Sequence, residues 1–366
     1  MRMSFFLSVW LFATCVAGFS LVAETTSRPA TSPATTQAAT PSTTQSATKP
    51  TTVATSHPTT YPTSHPITAQ AATQPATIPA DIRRVLFLGD SITYGGLYCA
   101  YFEAYFATRH PTQELIFINV GLSSETVSGL SEPNHAAGKF PRPDLHERLD
   151  RILNLTKPDL VFACYGMNDG IYLPLDSARF GKFKDGMNWL HKKVTDQKAR
   201  IIHLTPPSYD TDRTQKDAFY NGVLDEYSKW LLDQRAEQGW EVADIHGPMN
   251  KTLADGKAKD PKFFLSGDGV HPGDVGHWLI AQQVLLYLGG NDIASTPDAR
   301  NMISVHPKGA EIMILVKERQ SLMKDAWLSA TGHKRPGVKP GLPMDEAEKM
   351  NQDLLRRIRQ LAKSAN

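Results

Sequence analysis

Cysteine is nearly missing from this sequence: Cys15, Cys99 and Cys164 are all that 366 residues contain. A small fold stapled by several disulfides is excluded on that count. Cys99 and Cys164 lie among apolar residues on expected core elements, so they read as two buried free thiols. Cys15 follows Phe-Ala-Thr, a poor match to a lipid-attachment box. Excess charge is lacking too. Lys and Arg exceed Asp and Glu by only +2, which gives no reason to expect nucleic acid or a strongly anionic partner. Between Glu24 and Pro79 even isolated charges are scarce, with Arg28 and Lys49 the only ones after Glu24. Several chemistries lack their motifs: there is no GxSxG elbow, no Walker loop, no dinucleotide glycine pattern and no HExxH zinc motif. No internal repeat is visible.

What is present begins with Met1-Arg2-Met3 and an apolar run from Phe5 to Val22. That pattern reads as a signal peptide over residues 1–23, with Leu21-Val22-Ala23 as the cleavage site. An uncleaved anchor is the competing reading, since roughly 18 apolar residues just span a bilayer. Residues 24–80 are almost all Thr, Ser, Pro, Ala and Gln. Such a stretch cannot bury enough apolar surface to offset its ordering entropy, and it reads as a disordered, extended spacer reaching on the order of 100 Å. The expectation is a secreted, periplasmic or cell-surface protein with no membrane insertion once the leader is removed.

From residue 81 the pattern changes. Short apolar runs at Val85–Leu88, Leu115–Val120, Leu160–Tyr165, Ile201–Leu204 and Trp240–Ala243 predict five strands. Between and after them, amphipathic stretches predict helices at about Tyr98–Thr108, Asp144–Leu155, Ser177–Gln197, Asp212–Gln238 and Asp274–Leu288. All-apolar strands alternating with longer helices argue for an α/β fold, a parallel sheet covered on both faces. Residues 81–290 form that domain. Residues 291–366 predict a helical extension packed on it, with helices at Ala310–Ser329 and Asp345–Lys363.

Four short blocks carry the chemistry: Gly89-Asp90-Ser91-Ile92, Asn119-Val120-Gly121, Gly166-Met167-Asn168-Asp169 and Asp268-Gly269-Val270-His271-Pro272. The first three fall just past the ends of strands one, two and three, where open α/β sheets bind ligands. Ser91 is then a nucleophile on a tight turn, although Gly-Asp-Ser alone is also a good helix cap. His271 is its base, with Asp268 three residues earlier fixing the ring's tautomer. Asp274 and His277 repeat that spacing on an expected helix, and His203 and His246 also end strands, so three other histidines stay open as candidates. The backbone N–H groups of Ser91 and Gly121 and the side-chain amide of Asn168 would bind a developing oxyanion. As alternatives, Gly121 is a turn glycine and Asn168 a helix cap.

This set resembles the SGNH (GDSL-type) hydrolase superfamily over about Val85 to Leu288. Block one reads Gly-Asp-Ser-Ile-Thr-Tyr-Gly, and the Gly-Met-Asn-Asp and Asp-Gly-Val-His-Pro blocks also match. Block two departs, because Ser124 stands where a second glycine is common. The resemblance implies a flavodoxin-like three-layer α/β/α fold with a central five-stranded parallel sheet. It also implies no cofactor and no metal, and hydrolysis of esters through Ser91, Asp268 and His271. Carbohydrate O-acetyl esters or a small ester are the expected substrates. A lysophospholipase or lipase-like acylhydrolase is the alternative, and a silent binding module is a third reading that the complete triad disfavours.

Overall fold

The computed structural model describes residues 74–214 and 217–364. The expected leader, most of the expected spacer and Cys15 lie outside the described residues. Five strands form one sheet: β1 (Arg84–Gly89), β2 (Ile116–Asn119), β3 (Leu160–Cys164), β4 (Arg200–Leu204) and β5 (Glu241–Ala243). Every pairing is parallel and the order is β2-β1-β3-β4-β5. This is the flavodoxin-like order, with its switch point between β1 and β3. Phe87 pairs with Asn119 and Gly89 with Cys164, so the strand ends bearing the first three blocks emerge side by side.

Ten helices surround the sheet among the described residues. They are α1 (Ser91–Gly95), α2 (Leu97–Arg109), α3 (Leu149–Thr156), α4 (Ser177–Asp196), α5 (Tyr220–Glu237), α6 (His246–Lys259), α7 (Asp274–Tyr287), α8 (Ala299–Ser304), α9 (Gly309–Thr331) and α10 (Met344–Lys363). Helix α2 is buried without interruption from Tyr98 to Phe106, as a helix must be when it is covered all round. Its Tyr98 and Phe102 meet Phe87 of β1 at ring-centroid distances of 5.8 and 5.6 Å, and Phe87 stacks on Phe162 of β3 at 5.5 Å. Helices α7 and α9 pack on α2, while α4 and α5 pack on β4 and β5. Cys99 and Cys164 are buried free thiols, as expected.

The structure departs from expectation at the start of the packed chain and in an added helix. The packed chain begins before residue 81: Ala76 and Ile78 are buried, and Ala76 donates its N–H to the Tyr105 hydroxyl at 2.7 Å. Its carbonyl meets His110 Nε2 at 2.7 Å, so residues 74–80 are a strap on α2 and not spacer. Helix α6 was unexpected because Gly247, Pro248 and Gly256 interrupt its pattern. Proline in the first turn needs no N–H, and Gly256 leaves room for the Phe263 ring.

The C-terminal helices are integral. Arg319 of α9 donates from Nη1 to Glu103 of α2 at 2.8 Å and from Nη2 to the Phe117 carbonyl of edge strand β2 at 3.1 Å. Glu103 also accepts from Gln320. This network is buried, and it covers part of an edge that would otherwise offer bare carbonyls.

Candidate active site

Strand β1 ends at Gly89, and α1 starts two residues on with Ser91 as its first residue. Only glycine fits that corner, because a Cβ at Gly89 would lie 2.3 Å from Thr93 Oγ1 and 2.6 Å from the Cys164 carbonyl. Asp90 caps α1, accepting from the Ile92 N–H at 3.0 Å. Its carboxyl is enclosed, and burial pushes its pKa up to about 7 against the pull of that hydrogen bond. Capping therefore falls to Asp90, which leaves the Ser91 hydroxyl free to point elsewhere.

It points at His271. Ser91 Oγ lies 2.8 Å from His271 Nε2, across 180 residues of chain. On the ring's other side, Nδ1 lies 2.7 Å from Asp268 Oδ2. Asp268 Oδ1 accepts from the backbone N–H groups of Val270 and His271 at 3.0 and 2.8 Å, so one turn holds carboxylate and imidazole together. Partial burial raises the Asp268 pKa, but the hydrogen bonds from the His271 ring and from those two amides outweigh it and hold the carboxyl below its usual range. A carboxylate fixed there keeps the proton on Nδ1, leaving Nε2 to take the serine proton.

The other three histidines are occupied elsewhere. His277 is buried on α7 against Tyr98, with ring centroids 6.1 Å apart, and burial pushes its pKa down to about 4. His203 is enclosed in β4, where its Nε2 meets His191 Nδ1 at 3.0 Å and burial lowers its pKa to about 3. His246 opens α6 and bonds Asp225 at 2.7 Å and the Pro206 carbonyl at 3.0 Å.

Asn168 follows β3 and is buried, 3% exposed. Its side chain caps no helix. Nδ2 donates two long hydrogen bonds of 3.3 Å, to Asp90 Oδ2 and to the Glu125 carbonyl. Oδ1 accepts from Arg142 Nη1 at 2.8 Å and from the Tyr172 hydroxyl at 3.3 Å. Asp169 ties this turn to the block-two loop, accepting from the Val127 and Ser128 amides at 2.9 and 2.8 Å and from Gly166 at 2.9 Å.

Gly121 differs from expectation. Its N–H donates to Asn119 Oδ1 at 2.9 Å and is therefore already used. It is glycine for packing, since a Cβ there would lie 2.4 Å from the Tyr94 nitrogen. Three residues on, Ser124 takes the left-handed conformation with φ 69°. Among the described residues its N–H meets no acceptor. Ser124 adjoins Glu125, whose carbonyl receives Asn168 Nδ2. Its positive φ falls at the position where the family pattern often has a second glycine.

The triad is open, with the side chains of His271 and Asp268 51% and 58% exposed. Beside Asn168, a cleft of about 440 Å³ is lined by Leu122, Phe140, Arg142, Pro143, Arg148 and Lys334 among others. The C-terminal extension forms part of this wall. Arg335 donates to the Ser123 carbonyl at 2.8 Å, and Lys324 of α9 donates to the Tyr94 carbonyl at the end of α1 at 3.2 Å. Among the described residues, no group of three or more His, Cys, Asp or Glu is placed to hold a metal ion.

The sequence pattern of the GDSL-like lipase/acylhydrolase family matches residues 87–279. None of the curated proteins matches the sequence. Among solved structures, BT4096, a gut microbial diltiazem-metabolizing enzyme, superposes with a TM-score of 0.58 at 16% identity, covering 80% of this chain and 97% of its own. The acetylxylan esterase Axe2 of Geobacillus stearothermophilus gives a TM-score of 0.44 at 22% identity, covering 57% and 94%. LAE5, an alpha/beta hydrolase from the metagenome of Lake Arreo, Spain, gives 0.44 at 23%, covering 57% and 96%.

Proposed function

This chain belongs to the GDSL-like lipase/acylhydrolase family and is a carboxylic ester hydrolase; from that we propose a secreted esterase that removes small acyl groups, acetyl above all, from carbohydrates. The observation that carries the catalytic assignment is the continuous hydrogen-bonded line from Ser91 Oγ through His271 to Asp268. As Oγ attacks the ester carbonyl, Nε2 of His271 takes its proton, and Asp268 stabilises the imidazolium. The carbonyl oxygen becomes an oxyanion received by the Ser91 and Ser124 amides and Asn168 Nδ2, donors fixed before the substrate arrives. Collapse breaks the C–O bond to the alcohol, which leaves with the proton from His271. Water then repeats the attack on the acyl-Ser91 ester, and the acid departs.

Substrate class rests on the exposure of the triad and on the secreted character of the sequence. A triad this open to solvent suits a small acyl group on a large polar carrier, which need not enter a closed pocket. Secretion is supported by the leader-like first 23 residues and by the Thr/Pro-rich spacer, which suits an enzyme held near a polymer. The test is hydrolysis of p-nitrophenyl esters of increasing chain length, followed by acetylated oligosaccharides. Rates falling beyond the shortest acyl groups, with acetate released from the sugars, are expected. Rates rising with chain length would assign a lipase-like enzyme instead. N-terminal sequencing of the protein recovered from the medium or cell surface of its host tests the leader.

A further inference from the structure

The side-chain amide of Asn168 is held from behind by a cation the triad does not need. Arg142 is buried, and its Nη1 donates to Asn168 Oδ1 at 2.8 Å. Two further donors are gripped by Glu132, Nε to Oε2 at 2.7 Å and Nη2 to Oε1 at 2.7 Å. This two-point carboxylate contact fixes the guanidinium plane as a single bond would not. Those hydrogen bonds and the Arg142 charge outweigh partial burial and hold Glu132 below the usual carboxyl range. Tyr172 adds a second donor to the same Oδ1 at 3.3 Å, with its ring 5.3 Å from the guanidinium carbon. Ile171 and Tyr172 both take left-handed backbone conformations, φ 46° and 55°, so this turn holds strain that its surroundings must impose.

Two consequences follow for the Asn168 amide. With two donors on Oδ1, the flipped orientation would set the amide NH2 against the guanidinium, so Nδ2 is fixed toward Asp90, the neighbour of Ser91. A cationic donor on Oδ1 also draws electron density from the amide, leaving the Nδ2 hydrogens more positive. On the protein side Nδ2 has only its two 3.3 Å contacts, so a developing oxyanion can offer it a better partner.

We propose that Arg142, clamped by Glu132, is the positioning residue of the oxyanion site: it orients and polarises Asn168 and touches no reacting atom. The proposal rests on the esterase assignment above, and the two fail separately. Wild-type enzyme inactive on p-nitrophenyl acetate, or full activity in Ser91→Ala, would sink the assignment itself. With the assignment standing, Arg142→Ala and Arg142→Lys should each lower kcat by about ten- to a hundredfold. That is less than loss of the donor itself, with KM changed by no more than about threefold. Glu132→Gln, which loosens the clamp without removing the cation, should give a smaller fall in kcat of the same kind. Methylguanidinium added to Arg142→Ala should restore part of kcat, a response that a merely structural role would not give. Unchanged kcat in a folded Arg142 variant would overturn the proposal. So would a loss confined to KM, which would make Arg142 a substrate ligand. Should both Arg142 variants fail to fold, Glu132→Gln decides: a fall in kcat supports the proposal, and an unchanged kcat overturns it.

Discussion

Replacing Arg319 by methionine should be among the most damaging single changes outside the catalytic residues. The guanidinium is 1% exposed and its partner Glu103 5%, so neither group regains water when the other is lost. Methionine fills much of the space but removes the Nη1 bond to Glu103 and the Nη2 bond to the Phe117 carbonyl. A buried carboxylate would be left with Gln320 alone. Breaking a buried pair in this way costs about 3–5 kcal/mol. At roughly 2–4 °C per kcal/mol for a domain of this size, the melting temperature should fall by about 10 °C. The loss should also depend on pH. Burial already pushes the Glu103 pKa up against the opposing pull of Arg319 and Gln320, and without Arg319 it rises further. The folded variant then holds a proton that the unfolded chain has released, so its stability declines as pH rises above the ordinary glutamate range. Scanning calorimetry of wild type and Arg319→Met at pH 5 and 8 measures both effects, with the larger gap at pH 8. The pair Glu103→Leu with Arg319→Met removes both charges and should recover part of the loss. A single variant within about 1 kcal/mol of wild type, or a double variant as unstable as the single, would refute the reasoning.

Ser91→Ala and His271→Ala should each remove p-nitrophenyl acetate hydrolysis by several orders of magnitude while the protein still folds, whereas His277→Ala should lower the melting temperature and leave most of the rate; the reverse pattern in kinetics and melts would mean that the wrong Asp-x-x-His pair was chosen. Asn168→Ala should lower kcat by roughly a hundred- to a thousandfold with little change in KM, and retention of kcat within a fewfold would remove it from the oxyanion site. A chain starting at Gln74 should match the full-length protein in rate and melting temperature. One starting at Asp81 loses buried Ala76 and Ile78 and should be about 2–3 kcal/mol less stable by denaturant titration, so equal midpoints would show that the strap contributes nothing.

The sheet was legible because its strands are short, apolar and separated by amphipathic helices. Val85–Leu88 and Leu160–Cys164 have little else they can be. The hydrogen-bonded line proposed as the triad was legible for a different reason: Asp268 and His271 need only one turn between them, and a proline and glycines mark that turn. The proposed oxyanion donors were harder. Glycine at 121 suggests an exposed amide, yet its missing side chain serves packing against α1 and its N–H is consumed by Asn119. What distinguishes Ser124 is a positive φ, and a serine does not announce one. Arg142 and Glu132 carried no signal, because an arginine in a loop of mixed polarity looks like surface until burial shows otherwise. The strap at Gln74–Ala80 was hidden by composition. Its few apolar residues look no different from the Thr/Pro-rich stretch before it, and only their seat against Tyr105 and His110 makes them core.

Both ends of the folded chain converge on α2. The strap reaches Tyr105 and His110, and Arg319 reaches Glu103 from 216 residues downstream. During synthesis, therefore, α2 leaves the ribosome long before its covering helix α9 exists. Until α9 follows, Glu103 has no counter-charge and the Phe117 carbonyl on β2 lacks its Arg319 donor. Ser91 likewise waits for a histidine 180 residues away. Closure of the molecule is thus a late event, and the proposed nucleophile has no base until the last part of the sheet domain has been made.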